Sequence, residues 1–140
     1  MVVNIFFEET EDLCLDQPFF FTWLSEVVSR ETLVLGEINI VFTNNKKILS
    51  INKDHLNHNT YTDIVTLDYR VGDLVFADLF ISVDMLRFNA KKYSKDFFDE
   101  LCRVVVHGVL HVCGYKDRQR AEKAIMKKKE EECLSLRSIL

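Results

Sequence analysis

A chain of 140 residues, 48% hydrophobic and 29% charged, is long enough to bury a core of its own without disulfide staples. With one Pro and four Gly there is little room for a disordered tail, and most residues should lie in regular elements joined by short connections. The formal net charge of −4 argues against a protein that coats nucleic acid by bulk electrostatics, though not against one with a local basic patch.

In chain order, Val2–Phe7 (VVNIFF) reads as a first strand. No basic stretch precedes it, and Glu8 arrives too early for the hydrophobic core of a secretion signal. Pro18 suits the first turn of a helix, where its missing N–H costs nothing. Phe19, Phe20, Trp23, Leu24, Val27 and Val28 follow at helical spacing. Gly36 punctuates the chain, and Glu37–Thr43 alternates as a half-buried strand does. Asn44 can cap a short helix through about His55, with Ile48 and Leu49 facing inward. Thr62–Tyr69 and Asp73–Val83 are two more strands, and the gap Arg70–Gly72 predicts a hairpin. After Asp84 the pattern turns helical. A longer helix runs from about Asp96 to Cys113 and stops at Gly114. From Arg118 the last segment reads as a charged helix carrying Ala121, Ile125, Met126, Cys133 and Leu136.

The order β-α-β-α-β-β-α-α-α predicts one α+β domain spanning residues 1–140: a small mixed four-stranded sheet packed with about five helices. No stretch approaches the ~18 apolar residues of a membrane helix, so a soluble, cytoplasmic protein is expected. Cys14, Cys102, Cys113 and Cys133 form no CxxC pair, and Cys102 and Cys113 read as small buried hydrophobes.

The stretch KDFFDELCRVVVHGVLHVCGYKD carries the chemistry. On a wheel of ~100° per residue, Phe97, Phe98, Leu101, Cys102, Val104, Val105, Val106, Gly108, Val109, Val112 and Cys113 cover more than half of the circumference. Glu100, Arg103, His107 and His111 share the narrow remaining arc. His107 and His111, four apart, present two imidazoles from one face, and Asp117 follows three residues after Gly114, giving HxxxHxxGxxD. Such a pair is either a hydrogen-bonded structural feature or two ligands of one metal ion. Three protein ligands would leave the open position of a catalytic site. Zinc proteases of related spacing carry a Glu after the first His. Gly108 stands there, which weakens a peptidase reading.

These residues resemble a known family. HGVLHVCGYKD is similar to the HGxLHLxGYDH signature of the YbeY family of ribosomal RNA maturation endoribonucleases. INKDHLNHNTYTDIVTL resembles that family's LNxxYRxxDxPTDVLSF block, and LFISVD its GDIxISxD strand. Met126, Glu130 and Glu131 resemble its terminal helix. The resemblance implies a metal-dependent, single-strand-specific endoribonuclease acting in maturation of ribosomal RNA ends, including the small-subunit 3′ end, and in ribosome quality control. It implies single-stranded or ribosomal RNA and the ribosome or its proteins as partners, no membrane, and a monomer.

It also implies one divalent ion held by His107, His111 and Asp117. Zinc is the first choice, with manganese or magnesium opened by an oxygen ligand where the family has a third His. The family's preceding Asp is Lys116, its Arg falls on Leu56 and its Pro on Tyr61, leaving Thr62 and Asp63 in register. Asp63 either orders the site or caps a turn or strand.

With His107 and His111, Arg103 completes the expected catalytic set: it either binds the scissile phosphate or pairs with Glu100 three residues away. Glu100 lies two turns from His107 and is a poor candidate for a base. Lys46, Lys47, Lys53, Lys91, Lys92 and Lys116 could steer RNA, whereas Lys127–Lys129 with Glu130–Glu132 reads as surface charge pairing. A ribosome-associated factor with little nuclease activity and a metallohydrolase of another substrate class are the alternatives.

Overall fold

The computed structural model describes residues 1–56 and 62–140, by backbone alone at 55 and 56. The first half runs β1 (Val2–Phe7), α1 (Gln17–Arg30), β2 (Val34–Thr43), α2 (Asn45–Ile51) with a wider turn at Asn52–Leu56, and β3 (Ile64–Asp68). The second half runs β4 (Leu74–Ser82), α3 (Val83–Lys92), α4 (Phe97–Val112), α5 (Arg120–Ser135) and a 3-10 turn at Leu136–Ile139. This is the expected α+β order. The sheet reads β1-β2-β4-β3, with β1–β2 and β2–β4 parallel and the β3–β4 hairpin antiparallel.

Local chemistry sets the helix starts. Asp16, Asn44, Ser82 and Asp96 each accept a backbone N–H of the first turn of α1, α2, α3 and α4, contacts typically worth about 1 kcal/mol. Three helices also stop in the same way, with paired 6→1 and 5→2 hydrogen bonds around one left-handed residue. Leu33 N–H donates to Val28 and Thr32 N–H to Ser29; Lys95 donates to Ala90 and Ser94 to Lys91; Tyr115 donates to Leu110 and Gly114 to His111. The left-handed residues are Thr32 (φ 58°), Ser94 (φ 53°) and Gly114 (φ 113°).

Helices α1 and α4 cover one face of the sheet. Phe20, Trp23, Leu24, Leu101, Val105 and Val109 join Val3, Ile38, Ile40, Phe42, Leu79 and Ile81 in one buried core. The buried Trp23 indole donates to the Cys133 carbonyl at 2.8 Å, which ties α5 to α1. On the other face α2 sets Ile48 and Ile51 against Val65, Leu67 and Phe80. Helix α4 meets the sheet closely at Gly108, where an added Cβ would lie 2.7 Å from Ile64 Cδ1 and 3.0 Å from Leu79 Cδ2. This contact accounts physically for a glycine after His107.

Several expectations are corrected. Gly36 does not separate elements: it sits inside β2, at a register irregularity between Leu35 and Glu37, and the strand starts at Val34, whose N–H donates to Asp73. Ala121 and Ile125 are exposed, because α5 docks on a narrow stripe of Met126, Glu130 and Cys133. Phe98 is partly exposed at the edge of the Phe19–Phe20 pair. All four cysteines are free; Cys102 and Cys133 are buried, and burial pushes both thiols up to about 11. Among the described residues no helix is long and apolar enough to cross a membrane.

Thr32 is a β-branched residue held in the left-handed region, where a side chain costs ~1–2 kcal/mol. Thr32→Gly should therefore raise stability by about 1 kcal/mol, after allowance for the greater freedom of glycine in the unfolded chain. Urea melts of the two proteins measure the difference.

Candidate metal centre

The site is built by the way α4 ends. His107 and His111 stand one turn apart on its last two turns, with their rings 4.6 Å apart between centroids and nearly perpendicular. The left-handed turn at Gly114 then reverses the chain. This brings the Tyr115 carbonyl within 2.9 Å of His111 Nδ1 and carries Asp117 back over both rings. The Asp117 Oδ2 atom lies 3.2 Å from His107 Nε2 and 3.4 Å from His111 Nε2, and the two Nε2 atoms are 3.0 Å apart.

These separations match a shared ion. Donors bound tetrahedrally at ~2.0–2.1 Å lie about 3.3 Å from one another. The donor set of two imidazoles and a carboxylate is likewise one that holds a divalent transition ion. Each of the three residues is only partly buried. A cleft of about 770 Å³ opens on one side, between Thr66, His111, Tyr115, Lys116 and Arg118. A second, of about 310 Å³, opens on the other, between Arg103, His107, Lys123 and Lys127. Asp117 borders both, so a substrate can approach the three donors from solvent.

Behind the donors lies a network that sequence reasoning did not assemble. His107 Nδ1 meets Glu130 Oε2 at 2.5 Å, and Glu130 is buried on α5. With both Nδ1 atoms engaged, the tautomer that leaves each Nε2 lone pair free is favoured, the arrangement by which outer carboxylates and carbonyls orient histidine ligands. Burial disfavours the charged form of His107. The hydrogen bond and charge of Glu130, with Asp117 and Asp63, outweigh it and raise the imidazole pKa above its ordinary value.

Arg103 closes the network from below. Its Nε and Nη2 pair with both oxygens of buried Glu100 at 2.9 and 2.7 Å. Nη1 lies 3.5 Å from Glu130 Oε1, and Nη2 lies 3.7 Å from Asp63 Oδ2. The hydrogen bonds to Glu100 and the surrounding carboxylates hold it firmly charged against burial. The alternative of an Arg103–Glu100 pair is thus realised, and the guanidinium compensates carboxylates that burial would otherwise penalise. Asp63 faces Arg103, and its carbonyl accepts the Ser82 N–H at 2.9 Å, continuing the antiparallel β3–β4 pairing by one residue.

Surface pairing describes Lys129, which meets Glu132 at 3.3 Å and Glu31 at 3.2 Å. It does not describe Glu130, or Lys127, which lines the cleft beside Arg103. Glu31 also accepts the Tyr115 hydroxyl at 2.7 Å, fastening the loop that follows α4. Leu56 and Tyr61, where the family pattern has Arg and Pro, lie outside the residues whose side chains are described.

An ion needs both Nε2 atoms unprotonated, and His107 keeps its proton to a higher pH than an ordinary imidazole. Metal affinity should therefore fall as pH drops through the raised His107 pKa, with one proton displaced per ion. Glu130→Gln removes the charge that raises this pKa. The fall should move to lower pH, while affinity at ~pH 8 weakens about 10–100-fold through loss of ring orientation. Competition titrations against a chelating dye, repeated across pH, measure both effects.

Comparison with known proteins bears on the same residues. A family model described as Endoribonuclease YbeY matches residues 8–137. Proteins named Endoribonuclease YbeY are similar over most of their length. That of Bacteroides thetaiotaomicron is 43% identical over 82% of this chain and 84% of its own. That of Flavobacterium psychrophilum is 41% identical over 86% of each. The solution structure of TM1509 from Thermotoga maritima shares the fold, with a TM-score of 0.65 and 21% identity over 95% of this chain and 87% of that one. A match across so much of the chain places this protein in the YbeY family.

Proposed function

We propose that this chain is a metal-dependent endoribonuclease that cuts single-stranded RNA. It acts in the cytoplasm in maturation of ribosomal RNA, including the small-subunit 3′ end, and in ribosome quality control. The observation that carries the reading is the convergence of His107 Nε2, His111 Nε2 and Asp117 Oδ2 within 3.0–3.4 Å, open to solvent on two sides. The relatives carry the name of the activity.

His107, His111 and Asp117 would hold one divalent ion, zinc or, given the carboxylate, manganese or magnesium. When bound, such an ion supplies Lewis acidity toward a phosphodiester oxygen and an acidified water. The chain does the positioning. Glu130 and the Tyr115 carbonyl fix the imidazoles, and Gly114 and the Tyr115–Glu31 bond fix the return of Asp117. The guanidinium of Arg103 is already engaged by Glu100, with Glu130 and Asp63 beside it. We assign it the role of a positioning residue that holds Glu130, and through it His107. The scissile phosphate is left to the residues around the open clefts.

Protein purified without chelator should contain about one equivalent of metal and cleave single-stranded RNA. His111→Ala and Asp117→Ala should each abolish metal retention and cleavage together. Metal-replete protein that leaves RNA intact would instead favour a ribosome-associated factor. Arg103→Met separates the two roles of that residue. Positioning predicts weaker metal binding, with KM for RNA held within about twofold once metal saturates, whereas phosphate binding predicts a raised KM at unaltered metal affinity.

A further inference from the structure

We propose that the outer face of α3 is a binding platform for single-stranded RNA, with bases stacking on Phe88 and Tyr93 and the backbone phosphates meeting Lys91, Lys92 and Lys95. The proposal rests on the ribonuclease reading above and extends it to a surface beyond the metal centre. The segment Arg87–Lys95, RFNAKKYSK, holds four basic residues and no acidic one in a chain of net charge −4. Helix α3 buries Val83, Leu86 and Ala90 against the protein, while Phe88 and Tyr93 each remain 58% exposed.

The Lys92 ammonium sits between the two rings, 5.9 Å from the Phe88 centroid and 5.3 Å from that of Tyr93. Ring, cation, ring is the complement of base, phosphate, base, which is how sequence-tolerant single-strand binders combine aromatic stacking with charge. Arg87 is taken by Glu11 and by the Phe97 ring. No carboxylate among the described residues forms an ion pair with Lys91, Lys92 or Lys95. Complementing the helix dipole gives Lys91 and Lys92 a reason to stand in the last turn. It gives none for two large rings left in water beside them.

The left-handed turn at Ser94 directs the chain to Lys95, which lines a cleft of about 340 Å³ together with Arg103, Lys127 and Glu130. The same three residues line the cleft that holds His107 and Asp117. Lys95 thus shares a cleft with residues that also border His107 and Asp117, and Asp99, Glu100 and Glu131 line that cleft as well.

The test is fluorescence anisotropy of the metal-loaded full chain with a labelled, single-stranded 2′-O-methyl oligonucleotide of about 12 residues. A Phe88→Ala, Tyr93→Ala double variant should bind about tenfold or more weakly, with the metal content of the parent. Lys91→Gln with Lys92→Gln should reduce the slope of log affinity against log salt by about 1.4 between roughly 50 and 200 mM. Unchanged affinity in both variants, or no binding by the parent, overturns the platform. A change of solution mass in the aromatic variant with RNA affinity intact overturns it in favour of self-association. Cleavage of RNA by the parent is scored separately, so loss of the nuclease reading and loss of the platform are told apart.

Discussion

The termination of one helix governs the site. An α-helix leaves its last carbonyls without partners, and α4 satisfies two of them by a 6→1 and 5→2 pair around a glycine in the left-handed region. The same reversal aims the Tyr115 carbonyl at one imidazole and carries Asp117 to both. A chain that went straight on from Cys113 would leave His107 and His111 as a pair without a third donor. At Gly114 φ is 113°, a conformation that a residue with a Cβ rarely adopts. The local requirement of a helix end and the requirement of the metal donors are met by one residue.

Beneath this lies an electrostatic constraint. Glu100 and Glu130 are both buried, and such carboxylates are tolerated only when paired and hydrogen-bonded. Arg103 satisfies Glu100 through two hydrogen bonds and lies beside Glu130, whose other oxygen holds His107. The polar arc of α4 is therefore a chain of compensated charges that ends at the donor atoms. Its length along the helix explains why these polar groups share a stripe on an otherwise apolar element.

How far the sequence alone reached depended on the range of the interaction. Caps, hydrophobic periods and turn residues act within a few positions, so the β-α-β-α-β-β-α-α-α order, the Arg70–Gly72 hairpin and the end of α4 at Gly114 could be read directly. Gly36 lies beyond that range: a glycine in a strand interior looks locally like a turn, and only pairing of its neighbours with Val75 and Phe76 of β4 places it inside β2. The stripe on which α5 docks, Met126, Glu130 and Cys133, is likewise defined by the elements it meets and not by apolar character alone, since Ala121 and Ile125 stay exposed.

Helical spacing and a glycine stop, both local, already bring His107, His111 and Asp117 forward as candidate ligands within ten residues of one another. The sequence by itself likewise determined family membership through short motifs. Only the tertiary structure decided what orients those donors. Glu130 is 23 residues from His107, and Glu31 is 84 from Tyr115, so no local pattern links them until α5 packs on α4 and α1. The same packing sets Arg103 among Glu100, Glu130 and Asp63 and separates Lys127 in the cleft from Lys129 in a surface pair. A charge reads the same in sequence whether solvated, paired or buried, and only its neighbours in space make the difference.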